Sequence, residues 1–284
     1  MRVANAPVSF GIFEASPGVP LNAGEMVAAL AGYDGIDLGP IGYLDMARLN
    51  GLLLAGGWVD VPDGSPVGEA FADLDATLDV FDRAPAAPAR LKPVPTLGPP
   101  GIPARSARPG GLVPGLHARP GSGGWPEFAA NVQAAADRCR ERGYEAALHH
   151  HLGHAVETVE EIERLLDDTD VKLCLDTGHL LLAGGDPVKA LKDWAPRIGQ
   201  VHIKDGSLKT LHDGGDLRTL MGRGVFPALG DGDVDLPGVV QALHDIGYDG
   251  WVVVEQDTLP GHRPTADIVA DQIANLRKLK ELGL

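Results

Sequence analysis

The stretch EAALHHHLGH, residues 145–154, places four of the chain's ten histidines at the end of an apolar run. This composition is typical of a strand that ends in polar side chains, and it differs from that of a flexible tail. Because successive side chains of a strand point to opposite faces, His149 and His151 are predicted to share one face, with His150 on the other. At most two of the three consecutive imidazoles therefore converge on one point. The alternative is that all of them are half-buried structural side chains.

Short apolar runs alternate with amphipathic segments along the whole chain, which is the pattern of βα units around a parallel sheet. Eight runs are interpreted as strands, near residues 2–10, 35–39, 52–61, 91–97, 145–151, 172–178, 198–205 and 251–257. Eight strands with intervening helices is the number found in a TIM barrel. No second core is left to assign, so the sequence predicts an α/β protein, one TIM (β/α)8 barrel over residues 1–284, as a single domain.

Residues 95–125 interrupt this rhythm with a dense run of proline and glycine. Such a composition excludes a helix or a central strand, so a long loop is predicted there. Long loops in compact domains often act as lids, and Arg105, Arg108 and His117 are candidates to reach a substrate from a flap over the barrel mouth. A surface loop without a function is the equal alternative.

The chain is strongly acidic, with 24 Lys and Arg against 39 Asp and Glu and a formal net charge of -15. Such a field repels phosphate backbones and anionic lipid surfaces, so neither nucleic acid nor a membrane is an expected partner. The sequence has no signal-peptide pattern and no run of about 18 apolar residues, which predicts a cytoplasmic protein. Cys139 and Cys174 are expected to be free thiols. The sequence leaves a homo-oligomeric assembly open.

Side chains that bind metals or transfer protons stand at the ends of four successive predicted strands. In a TIM barrel, the C-terminal ends of the strands form the active site. Imidazole and carboxylate together suit Mn, Co, Fe or Zn, whereas oxygen ligands alone would favour Mg or Ca. One such residue is more often structural, but four neighbouring strand ends predict a site for one divalent transition metal. The residues are His149 and His151, Asp176 and His179, His202 and Lys204, and Glu255.

Several motifs carry a resemblance to a known family. NAPVSFGIFE (5–14), GYDGIDLGPIGYL (32–44), LHHHLGHAVET (148–158), LCLDTGHLLLAGGDP (173–187) and VHIKD (201–205) resemble the xylose isomerase-like superfamily of sugar isomerases and epimerases, and within it most resemble inosose (2-keto-myo-inositol) dehydratases. The resemblance implies a divalent metal, with Mn or Co favoured, held by Glu, Asp, His and Glu at the ends of strands five to eight. Asp176, His202 and Glu255 match the last three ligands. His149 stands where the isomerases commonly have the first glutamate.

This difference bears on the reaction, because isomerases and epimerases of this superfamily use both metal-bound glutamates to move protons. A dehydratase needs a base for the proton alpha to a carbonyl, a cation for the enolate and an acid for the departing hydroxyl. An imidazolium can be that acid near neutral pH. The resemblance therefore predicts a hydro-lyase for a keto-inositol or a related small polyhydroxylated keto sugar. Glu255 is the expected base; His149, also a predicted metal ligand, His151, His179 and Lys204 are the other catalytic candidates.

Two other functions stay open: a sugar isomerase or epimerase with the same metal, and a non-catalytic barrel that binds a sugar or a metal. Lys204 is equally well interpreted as a charge partner of Asp176 or Glu255. Glu157, just beyond the histidines, is expected to be a first-turn helix carboxylate with no catalytic part.

Overall fold

In the computed structural model of the chain, the described residues are 1–13, 21–61, 71–110 and 124–284. Eight parallel strands close into one barrel in the order in which they occur along the chain. The last strand pairs with the first, with Arg2 opposite Trp251 and Asn5 opposite Val254. The predicted single-domain TIM barrel is thus confirmed. The strands are β1 (Arg2–Asn5), β2 (Gly35–Asp37), β3 (Leu53–Asp60), β4 (Val94–Gly98), β5 (Ala147–His149), β6 (Lys172–Asp176), β7 (Ile198–Ile203) and β8 (Trp251–Val254).

Helices connect these strands on the outside of the barrel, and several begin at a side-chain cap. Thr158 and Glu161, for example, form a capping box at the start of α5, which satisfies backbone N–H groups that the helix itself leaves free. The helices are α1 (Ala23–Ala29), α2 (Ala72–Arg83), α3 (Pro103–Ser106), α4 (Gly124–Glu141), α5 (Val159–Asp168), α6 (Thr177–Leu182), α7 (Pro187–Asp193), α8 (Leu208–His212), α9 (Leu217–Gly222), α10 (Leu236–Asp245) and α11 (Thr265–Glu281).

The predicted loop at residues 95–125 begins later than its composition indicated. Val94–Gly98 form β4, a strand of the closed barrel, so the exclusion of a central strand is wrong for this part. β5 pairs only with Thr96 and Leu97, which leaves Pro95 outside that ladder and makes its missing N–H harmless there. α3 also interrupts the segment. Residues 111–123, which include His117, lie outside the described residues.

The part of this segment that precedes residue 111 is hydrogen-bonded to the loop between β5 and α5. The amide of Ala155 donates to the carbonyl of Pro100 at 2.9 Å, and the amide of Ile102 donates to Gly153 at 2.8 Å. Arg105 is 5% exposed and forms a bidentate ion pair with Glu161. The expectation that Arg105 meets a substrate is therefore wrong, because its guanidinium is already bound inside the protein.

Glu157 ties the same two loops together. It is buried and accepts hydrogen bonds from the amides of Gly153 at 2.8 Å and Gly110 at 2.9 Å. It precedes Thr158, the N-cap of α5, so the expectation of a first-turn helix carboxylate is wrong.

Apolar side chains fill the space between barrel and helices, and Cys139 is buried among them. Cys174 is buried on the face of β6 that carries Asp176, and both cysteines are free thiols, as predicted. No helix within the described ranges is long and apolar enough to cross a membrane.

Candidate metal centre and active site

Four neighbouring strands bring metal-binding side chains to one place. His149 ends β5, Asp176 ends β6, His202 lies near the end of β7 and Glu255 directly follows β8. The strand register fixes this meeting, since Asp176 is the partner of His202 in the β6–β7 pair. One ligand atom from each of the four side chains lies within 4.8 Å of those of the other three. We call these four residues the metal cluster.

The polar atoms that face one another in the metal cluster lie close together, but two of them have no hydrogen-bond partner among the described residues. His149 Nε2 lies 3.4 Å from Asp176 Oδ2, and His202 Nδ1 lies 3.2 Å from Glu255 Oε2. Even so, Asp176 Oδ2 and His202 Nδ1 are buried and make no hydrogen bond of normal geometry within the described part of the chain. Buried polar atoms without partners are costly. Their convergence fits a cation held between them.

Lys204 lies behind the cluster and is 1% exposed. Its ammonium is 2.9 Å from Glu255 Oε2, 2.9 Å from Asp257 Oδ1 and 3.3 Å from Asp176 Oδ2. It does not line the cavity described below. This position favours the charge-partner interpretation of Lys204 over direct contact with a substrate. One ammonium among three carboxylates leaves an excess of negative charge, which a divalent cation would offset.

The pKa values of these groups follow from their contacts. Burial alone would raise the pKa of Glu255, but the Lys204 ammonium and His202 outweigh it and hold that pKa well below its usual range. For Asp176, burial is likewise outweighed by Lys204 and His149, and the pKa is lowered to about 2. Both carboxylates are therefore ionised at neutral pH, as metal ligands must be.

The three consecutive histidines divide as the strand alternation predicted. His149 and His151 line the cavity. His150 is fully buried, and its Nε2 accepts a hydrogen bond from the amide of Asp176 at 3.1 Å. His150 thus supports the backbone of one cluster residue and does not reach the cluster itself.

His151 is held in one orientation, because its Nδ1 lies 2.7 Å from the carbonyl oxygen of Leu152. A carbonyl only accepts, so Nδ1 carries the hydrogen and Nε2 keeps a lone pair in the neutral ring. Burial, and then the neighbouring His154 and His149, lower the pKa of His151 well below 6.5. Burial also lowers the pKa of His149. Both rings are neutral near pH 7, which argues against the predicted imidazolium donor.

His179 is fully buried and does not line the cavity. Its ring packs on His151 with centroids 3.8 Å apart. Its Nε2 lies 2.9 Å from Lys204 Nζ and 3.6 Å from Asp257 Oδ2. His179 can therefore act on a substrate only through these neighbours.

A cavity of about 520 Å³ opens beside the metal cluster at the C-terminal ends of the strands. Glu255 is the only carboxylate of the metal cluster that lines it, whereas Asp176 is fully buried. Six further polar or aromatic lining residues were not predicted as site residues from the sequence: Phe13, Asp37, Trp58, Asp60, His154 and Asp257. The cavity is thus polar around the metal cluster, and apolar side chains of the β1 and β2 loops form another part of its wall.

Residues 64–279 match the family model described as the xylose isomerase-like TIM barrel. The chain belongs to this family. An inosose dehydratase of Lacticaseibacillus casei is 37% identical over 143 residues, which cover 48% of this chain and 48% of that protein. An inosose dehydratase of Geobacillus kaustophilus (strain HTA426) is 39% identical over 143 residues, which cover 48% of this chain and 46% of the relative. The match thus spans about half the length of these curated relatives.

Solved structures share the fold of this xylose isomerase-like barrel at low sequence identity. The probable 3-DHS dehydratase AsbF of Bacillus anthracis superposes with a TM-score of 0.68 at 14% identity and covers 99% of both chains. The IOLI protein with a binding zinc atom superposes with a TM-score of 0.63 at 15% identity and covers 98% of both chains. At these identities the likeness shows the barrel architecture alone.

Four of the unpredicted residues of this xylose isomerase-like barrel have a position that the sequence could have indicated. Asp257 stands two residues after Glu255, and Trp58 stands two residues before Asp60 at the end of β3, so strand alternation predicts a shared side for each pair. Asp37 ends β2 in the same manner. His154 carries no such signal, because a contact between loops holds it: its Nδ1 lies 2.7 Å from the carbonyl oxygen of Pro99.

Proposed function

We propose that this chain is a metal-dependent hydro-lyase that removes water from a keto-inositol or a related polyhydroxylated keto sugar. The observation that carries the proposal is the metal cluster, in which a histidine takes the strand-five position and Glu255 is the one cluster carboxylate that lines the cavity. Sequence similarity to inosose dehydratases over half of the chain supports the substrate class.

His149, Asp176, His202 and Glu255 would hold one divalent transition metal, with Mn or Co favoured. Two nitrogen and two oxygen donors suit such an ion. Cys174 lies close enough to His149 and His202 to be a rival ligand. However, burial raises the pKa of the Cys174 thiol to about 11, and a neutral thiol is a poor ligand. When bound, the ion would polarise the substrate carbonyl and so acidify the neighbouring C–H bond.

Glu255 is assigned the removal of the proton alpha to the carbonyl, because it is ionised and reaches the cavity. The electron pair of that C–H bond becomes the new C=C bond as the bond to the beta hydroxyl breaks. The hydroxyl leaves with one proton as water. Asp257 lines the cavity beside Glu255, burial raises its pKa to about 6, and it is assigned the delivery of that proton. His151, which has a lone pair on Nε2, can accept a hydrogen bond from the departing hydroxyl. Lys204 and His179 act behind them as positioning residues that hold Asp257 and Glu255.

One observation favours a sugar isomerase or epimerase as the second candidate. Such a reaction needs two proton-transfer groups on the substrate, and Asp257 supplies a second carboxylate to the cavity besides Glu255. The two reactions differ in their products, because only dehydration releases water.

The test is turnover of a small panel of keto-inositols and ketohexoses by the Mn- or Co-loaded protein, followed by the ultraviolet absorbance of the newly formed diketone. We expect absorbance to rise with a keto-inositol and not with ketohexoses. His149→Ala should abolish the signal, while His244→Ala, the same change on the exposed side of α10, should leave it unchanged. No absorbance change with any keto-inositol would refute the proposal.

A further inference from the structure

Trp58 is an aromatic side chain left partly uncovered inside the active-site cavity. Across the described ranges, three large apolar side chains are strongly exposed: Ile41 at 48%, Trp58 at 40% and Ile273 at 49%. Of these, only Trp58 lines the cavity beside the metal cluster. A large apolar surface exposed within a concave site typically marks a place where a ligand binds.

The protein holds the indole of Trp58 rigidly. Its Nε1 donates a hydrogen bond to Asp60 Oδ1 at 2.7 Å. A Cβ atom at position 98 would lie 2.0 Å from Cζ2 and 2.2 Å from Cε2 of the indole, so the ring rests on the backbone of Gly98 and requires glycine there. The rings of His149 and His151 contact the indole edge to face, with centroids 5.4 and 5.9 Å away. Such a surface loses little conformational freedom when a ligand binds.

The chemistry of the cavity wall suits a ring-shaped polyol. A cyclitol in its chair form carries hydroxyl groups around its edge and C–H bonds on its faces. Those C–H bonds are attracted to the negative face of an indole, while the edge hydroxyls can meet Asp37, Glu255 and Asp257 on the polar wall. An open-chain polyol must be ordered at a cost in rotational freedom. It also has no single C–H face, so it would bury hydroxyls against the indole.

We propose that Trp58 is the residue that selects a ring-closed substrate over an open-chain one, by packing its indole against the C–H face of the ring. This inference rests on the proposed function and narrows its substrate class. It adds to the metal cluster a specificity element that the sequence similarity does not assign.

Binding of non-reacting polyols tests the inference without requiring turnover. scyllo-Inositol and the open-chain hexitol D-sorbitol, which carry equal numbers of hydroxyl groups, are titrated by calorimetry into the Mn-loaded protein. Trp58→Leu keeps an apolar side chain without an aromatic face, and Trp58→Phe keeps a smaller aromatic face. Trp194→Phe is the matched control, because Trp194 is half-buried and does not line the cavity. Melting curves establish that each variant is folded.

We expect scyllo-inositol to bind more tightly than D-sorbitol, and Trp58→Leu to weaken scyllo-inositol binding roughly tenfold or more. Trp58→Phe should retain most of the affinity, and Trp194→Phe all of it. Unchanged affinity in folded Trp58→Leu, an equal loss for both polyols, or no binding of scyllo-inositol to the wild type would overturn the inference. Dehydration of a keto-inositol without this Trp58 dependence refutes the inference alone, whereas Trp58-dependent binding without dehydration refutes the proposed function alone.

Discussion

Replacing His149 by glutamate tests the metal cluster through its charge. The substitution puts a third carboxylate where the imidazole now lies, with Nε2 at 3.4 Å from Asp176 Oδ2 and 4.0 Å from Glu255 Oε2. His149 is 1% exposed, so water cannot screen the new charge well. The stability of the variant should therefore depend more strongly on a bound metal ion than that of the wild type.

The size of the effect follows from those distances. Two unit charges about 4 Å apart repel each other by about 4 kcal/mol at an effective dielectric constant of about 20. Two such repulsions set an upper limit of about 8 kcal/mol, and protonation of one carboxylate reduces the cost. We expect the metal-free variant to lose about 3–5 kcal/mol of unfolding free energy, as when a buried charge is left uncompensated. For a chain of this size that lowers the melting temperature by roughly 5–8 °C.

Melting curves in chelator and in excess Mn measure both states. The stabilisation by Mn should be larger in His149→Glu than in the wild type, because the ion then neutralises three carboxylates. His149→Gln is the control, since it removes the imidazole without adding charge, and it should reduce the stabilisation by Mn. Turnover by His149→Glu should fall roughly tenfold or more, because the extra carboxylate reduces the positive charge available to an enolate. The reasoning would be refuted if His149→Glu melted at the wild-type temperature in chelator, or if Mn raised its melting temperature no more than that of the wild type.

Three further outcomes are expected from other contacts. Arg105→Met should lower the unfolding free energy in urea by about 3–5 kcal/mol, because it leaves the buried Glu161 carboxylate without its ion-pair partner. Adding Glu161→Gln, which removes the charge and keeps an acceptor for the amide of Thr158, should recover part of that loss. A loss of less than about 1 kcal/mol would contradict the importance of this pair. His150→Ala removes the buried acceptor of the Asp176 amide and should lower the unfolding free energy in urea by about 2–4 kcal/mol. Elemental analysis should still find one metal ion per chain in this variant. Mn at about 100 times its dissociation constant should raise the unfolding free energy of the wild type by about 2.7 kcal/mol. Calorimetry should show that Asp176→Asn loses this stabilisation by Mn, whereas Asp245→Asn, a substitution at an exposed position, keeps it.

The barrel could be predicted because its signal is periodic and repeated. Seven of the eight strands lie inside the apolar runs identified in the sequence, and β4 extends one residue beyond its run, to Gly98. The starts of β6 at Lys172 and of β8 at Trp251 agree with those runs. The short helices α6, α8 and α9 were not predicted, since 5 or 6 residues are too few to establish a helical period. The sequence predicted both a strand at 91–97 and a loop from residue 95, and the second prediction was wrong for β4 because Pro95 and Gly98 were interpreted as loop residues.

The metal cluster could be predicted because each member stands at the end of a strand, where the fold places side chains at one mouth. Which of these side chains reach the cavity and which are buried behind it could not be predicted. Lys204 lies on the predicted side of β7, yet Phe226 and three carboxylates enclose its ammonium behind the cavity. His179 is covered in the same way. These positions depend on neighbours that are distant in sequence, and no local pattern records them.

The most direct measurement is the mass of the product formed from 2-keto-myo-inositol by the Mn-loaded protein. We predict a product lighter than the substrate by one molecule of water, formed by the wild type and absent with Asp176→Asn. Recovery of only the substrate mass, as expected of an isomerase, an epimerase or a barrel that only binds, would contradict the proposed dehydration.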